Sequence, residues 1–149
     1  MNLKLNKKGF TLVEVLLVVV IIAILAAIVI VAINPGRQIS QANNTQRSSD
    51  VKAILDAVHQ YSIDNRGALP TAITTTPTVV GSGAGLIDIC TDLVPTYMAE
   101  MPYDPTASGA AYTDCSAYNT GYTIASDANG RVTVAAPTAE LSETVSVTR

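Results

Sequence analysis

The chain has little of what most protein chemistry draws on. Its 149 residues include one histidine and two cysteines. Cys90, Cys115 and a distant His59 fall short of the ligand set of a zinc site. No metal motif, nucleophile signature or phosphate loop appears, so no enzyme and no cofactor are expected. Basic charge is sparse too. The formal charge is −3, and without Lys4, Lys7 and Lys8 it becomes −6. An acidic surface offers no footprint for phosphate backbones, so direct nucleic-acid binding by this chain alone is not expected. There is no internal repeat. The longest absence runs from Val15 to Ile33, where no side chain is polar.

That apolar run is about 19 residues, and at about 1.5 Å per helical residue it nearly crosses a bilayer's hydrocarbon core. Before it stand the basic head of Lys4, Lys7 and Lys8, then Gly9, Phe10, Thr11 and one carboxylate, Glu14. The lysines bias the N-terminus to the cytoplasm and send everything after Ile33 outward. Cys90 and Cys115 then face a compartment where disulfides persist. One bridge between them would close a loop of about 25 residues and contribute roughly 3 kcal/mol. Two free thiols are the alternative. Glu14 sits at the lip of the apolar helix, where an unpaired charge is expensive and no basic residue within the helix can pair with it.

Gly9-Phe10-Thr11-Leu12-Val13-Glu14 followed by an aliphatic run resembles the type IV filament subunits: type IV pilins, the pseudopilins of type II secretion, and competence pilins. The resemblance implies a leader, residues 1–9, removed by a prepilin peptidase between Gly9 and Phe10. Phe10 would then be N-methylated by the same enzyme. Unlike a secretory signal, cut after its apolar part, this cut leaves the apolar helix in the mature chain. The resemblance also implies that Glu14 of an incoming subunit meets the Phe10 amine of a subunit already in the filament. A carboxylate snorkelling to the headgroups is the alternative. The implied partners are other copies in a helical homopolymer, the peptidase/N-methyltransferase, and an inner-membrane assembly platform with an ATPase motor. The implied location is a single-pass inner membrane protein, N-terminus inside, that later joins an extracellular filament.

Along the chain, the apolar run ends at Asn34-Pro35-Gly36, where proline and glycine should kink or break the helix. Val51, Ile54, Leu55, Val58 and Tyr61 then form an apolar stripe of helical spacing. Gly67 and Pro70 supply a stop. The expected segments are a membrane or filament-core helix at 10–33, an amphipathic half of the same spine at 37–66, and a small extracytoplasmic β-rich domain at 67–149. Thr71 to Gly85 reads as a surface loop. Leu86–Cys90 reads as a short strand or the approach to a short helix. Runs at Gly121–Ser126 and Arg131–Ala135 flank Asp127-Ala128-Asn129-Gly130, a hairpin signal. Val145 and Val147 suggest a last edge strand. The expected class is α+β, a long helical spine packed by its C-terminal half on a small antiparallel sheet.

His59, beside the stripe, is expected to pack and not to catalyse. Asn43-Asn44-Thr45 matches a glycosylation triplet, but in predicted helix. Asp104, Asp114, Asp127 and Asn129 could supply oxygen ligands to calcium if their loops converged. Major pseudopilins carry such a site, yet their Asp-Pro-Trp-Gly segment reads Asp104-Pro105-Thr106-Ala107 here. Solvated turn residues are the favoured reading of all four. The expected function is the structural subunit of a type IV pilus, serving adhesion, motility or DNA uptake. Alternatives are a major pseudopilin and a membrane-anchored enzyme.

Overall fold

A computed structural model describes residues 9–149. The chain divides into two units, one ending at Gln38 and one spanning Ile39–Arg149.

The first unit is dominated by helix α1, Leu12–Ile33, in which no residue is buried. Thr11 caps it from an extended backbone, its Oγ accepting the Glu14 N–H at 3.2 Å. The helix ends at Asn34, whose φ of 44° places it in the left-handed region. Asn34 then opens the next helix, its backbone carbonyl accepting the Arg37 N–H at 3.1 Å. Pro35 is the first residue of α2, Pro35–Asp64. Proline suits that position, since its missing N–H would have no helical partner. The expected break therefore falls at Asn34, and Pro35 and Gly36 start the second helix instead of interrupting it.

In the second unit, α2 lays Val51, Ile54, Leu55 and Val58 into a core where each is fully buried. Each such side chain contributes about 1.5–3 kcal/mol. Tyr61, the last of the stripe, packs half-buried against that core. Arg66, at φ 60°, turns the chain out of the helix, and the Gly67 N–H closes on the Ser62 carbonyl at 2.7 Å.

The other side of the core is an antiparallel sheet in the order β1-β3-β4-β5, with β2 pairing β3 off that path. The strands are β1 (Thr78–Gly81), β2 (Ala111–Asp114), β3 (Ala117–Ser126), β4 (Val132–Ala136) and β5 (Val145–Thr148), and a short helix α3 (Cys90–Leu93) lies between β1 and β2. Along β3, Tyr118, Thr120, Tyr122 and Ile124 face inward, and Val132, Val134 and Ala136 do so on β4. The β3–β4 turn is the expected one. Gly130 sits at φ 79°, and Asp127 Oδ1 accepts the N–H groups of Asn129 and Arg131 at 2.8 and 2.9 Å.

Two expectations need correction. Thr71–Gly85 is not all loop, because Thr78–Gly81 forms β1 and pairs with β3. Its four residues show no useful local alternation, and pairing with a distant strand decides their conformation. At Gly81 a Cβ would lie 2.9 Å from the Tyr118 carbonyl, so glycine there admits the neighbouring strand and is not a loop signal. The sequence also gave no hint of β2, and β3 starts at Ala117, four residues before the expected run. Leu86–Cys90 is the expected approach to a short helix, since Ile87 makes one bridge to Val80 and helix α3 begins at Cys90.

Candidate functional site

The N-terminal site is built by the start of α1. Gly9 and Phe10 are exposed, Phe10 at 82%. A Cβ on Gly9 would touch nothing within 4 Å, and its backbone lies outside the left-handed region. Among the described residues nothing in the fold requires glycine there.

Thr11 and Glu14 stand at the spacing of a capping box, in which the threonine takes the Glu14 N–H and the glutamate reaches back to the Thr11 N–H. Sequence reading overlooked this, although Thr-x-x-Glu before an apolar run signals it. Only the first half forms among the described residues. The Glu14 carboxylate has no hydrogen bond or ion pair among them. It lies in the first turn, where the helix dipole favours a negative charge by about 0.3–1 kcal/mol. The site thus presents a pre-oriented carboxylate one turn from Phe10, on a helix whose apolar side chains are all left uncovered.

A second cluster lies in the head, around a residue that sequence reading missed. Arg47 is fully buried on α2. It grips Asp104 with two nitrogens, Nε to Oδ2 at 2.8 Å and Nη2 to Oδ1 at 3.1 Å. Its Nη1 donates to Glu140 Oε2 at 2.9 Å and to Asn44 Oδ1 at 2.8 Å. Glu140 also accepts from Ser40 and Asn43, each at 2.9 Å. Thr138 donates to Asp104 from the same segment as Glu140. One arginine thus ties the loop before β2 and the β4–β5 loop to the helix. Burial alone would raise the Asp104 carboxyl, but Arg47, Thr138 and the N–H groups of Thr106 and Ala107 hold it well below the usual range. Glu140 is also lowered, first by Arg47 and then by Asn43 and Ser40.

The structure does not bring the four calcium candidates together. Asp104 already serves Arg47, Asp114 turns back on Ser116 with bonds of 2.6 and 2.8 Å, and Asp127 pairs with Arg131 at 2.8 Å. Asn129 belongs to the Asp127 turn. Among the described residues no three acidic, histidine or cysteine side chains gather around a common point. Each carboxylate organises its own loop. The Asn43 amide, weighed as a glycan acceptor, donates instead to Glu140. His59 is half-buried, and its Nε2 has no hydrogen-bond partner among the described residues. Cys90 and Cys115 form a disulfide, fastening α3 to the turn between β2 and β3.

Comparison with known proteins bears on the first of these sites. The model of the prokaryotic N-terminal methylation motif matches residues 4–30. Type II secretion system core protein G of Pseudomonas aeruginosa is 40% identical over 60 residues. That match covers 40% of this chain, and the chain spans about two fifths (41%) of that relative's length. No solved structure matches.

Proposed function

We propose that this chain, a member of the type IV pilin and pseudopilin family, is a structural subunit of a type IV pilus and not an enzyme. In this reading prepilin peptidase cuts between Gly9 and Phe10, methylates the new amine, and releases a subunit still anchored by α1. The membrane holds α1 until an inner-membrane platform with an ATPase motor feeds it into the growing fibre. There the apolar faces of neighbouring copies replace lipid. The Glu14 carboxylate meets the Phe10 amine of the preceding copy and fixes the axial register. A carboxylate in such a dry bundle is tolerable only when paired.

The observation that carries this reading is the pairing of an uncovered apolar helix with a carboxylate in its first turn that has no partner among the described residues. An isolated anchor explains the helix, and it draws only about 0.3–1 kcal/mol of dipole stabilisation from the acid. The expected outcome of substituting Gly9 with valine follows from its open surroundings. The head folds unchanged, while the leader stays attached and no fibre forms. Electrophoretic mobility and N-terminal sequencing of the membrane fraction check this.

The second reading is a major pseudopilin, driving a short periplasmic fibre in type II secretion. The similarity to core protein G favours it. The Cys90–Cys115 disulfide and the departure from Asp-Pro-Trp-Gly at Asp104-Pro105-Thr106-Ala107 favour the pilus. Electron microscopy of sheared appendages, with mass spectrometry of their main protein, separates the two.

A further inference from the structure

The two flanks of α2 in the head differ in charge. Asp50 and Lys52 are two residues apart, and at about 100° per residue they point to opposite sides of the helix. On the Asp50 side an open groove runs between the helix and the loop before β2, walled by Met101, Pro102, Tyr103 and Pro105, with Glu100 at its rim. Met101 is buried at its base, and Tyr103 is 46% exposed. Asp50 is half-buried there, its Oδ2 accepting the Tyr122 hydroxyl at 2.7 Å. No cation of the head pairs with Asp50 or Glu100. Arg47 is taken by Asp104 and Glu140, Arg131 by Asp127, and Arg149 by Asp56, which leaves Arg66 and Lys52 as the arginine and lysine of the head without an ion pair among the described residues.

On the opposite flank Lys52 is exposed and has no ion pair among the described residues. It is the single lysine after Lys8. A long aliphatic stem ending in an ammonium fits a groove with an apolar, aromatic wall and two carboxylates, since the stem packs while the head stays paired. An open helical polymer needs two different, complementary surfaces on each subunit. Subunits of charge −6 also repel one another unless cations are placed at their contacts.

We propose that Lys52 of one copy docks into the Asp50–Glu100–Tyr103 groove of a second copy, forming a head-to-head contact of the fibre separate from the Phe10–Glu14 pair. The inference rests on the filament reading above. It assigns α2 two roles in the head, covering the core with one face and offering complementary flanks to neighbours.

The test is zero-length carbodiimide coupling of intact sheared fibres grown from a mixture of isotopically light and heavy subunits, followed by peptide mapping. The expected product is an amide joining Lys52 to Glu100 or Asp50, with light–heavy pairs marking junctions between copies. Mapping separates it from any Phe10–Glu14 junction. Lys52→Gln should abolish this product and lower fibre yield several-fold. The exchange Lys52→Glu with Glu100→Lys should restore both yield and a junction between positions 52 and 100. Fibres that assemble normally while Lys52 couples to nothing, only within its own chain, or to other carboxylates would overturn the proposal. Absence of fibres from unaltered cells would instead overturn the filament reading.

Discussion

Two consecutive helices of this chain answer to different neighbours. In α1, 22 residues long, no side chain is buried. In α2, 30 residues long, seven are, and they include an asparagine and an arginine. The composition is inverted relative to ordinary burial, since the apolar helix is bare and the polar one feeds a core. Nothing among the described residues covers α1, and in the proposed reading lipid and then other copies do so. The burial of α2, by contrast, is accounted for by its own head. Substitutions in α1 should therefore change assembly and leave folding alone, whereas substitutions on the core face of α2 should change folding first.

The largest expected effect is at Glu14. Glu14→Ala leaves cleavage and the head intact and traps mature monomers in the membrane, because pairing is an event between subunits. If the contact is dry, the unpaired amine costs on the order of 3–5 kcal/mol at every added copy. Fibre yield and N-terminal sequencing from cells carrying only this subunit check both halves. Normal yield would erase the contrast between the helices.

Next is Arg47→Leu, which leaves Asp104 buried without its cation. A loss of about 3–5 kcal/mol is expected, read by urea unfolding of the detergent-extracted chain through its tyrosine signal. Acid should reproduce part of that loss. The Asp104 carboxyl titrates below its ordinary value of 3.8 and Glu140 below 4.5 in the folded chain. Between folded and unfolded values the unfolded chain binds more protons, so stability is full above about 4.5 and falls as the pH drops through this range. Asp50, raised by burial, works in the opposite direction and softens the fall. An Arg47→Leu chain should show a flatter acid limb.

Much of this was legible in the sequence. The apolar run, its end near Asn34, the α2 stripe, the Asn129-Gly130 hairpin and the last edge strand all come from short-range patterns. Arg47 was not, because one arginine in a polar stretch reads as solvated. Yet it lies four residues before Val51, in line with the stripe, and that spacing was the available signal. Asp104 was misread for the same reason, since its partner is 57 residues away. Strands β1 and β2, at four residues each, are too short to carry a period and take their conformation from β3.

Smaller effects sharpen the picture of the head. Reduction of Cys90–Cys115 should cost about 3 kcal/mol, set by a loop of 25 residues. Alkylation before and after reduction should label two thiols only in the reduced protein. Thr11→Ala should cost α1 about 1 kcal/mol of capping. Circular dichroism in detergent should show no more than slight fraying, with fibre yield nearly unchanged. A large assembly defect there would mean that the cap, and not the Glu14 carboxylate, governs the site.

The most direct test of the central claim is the N-terminal mass spectrum of the main protein in fibres sheared from the cell surface. The account predicts this chain, beginning at a methylated Phe10 and retaining α1 whole. A main protein that begins at Met1, or after Ala27 or Ala32 within the apolar run, would contradict it.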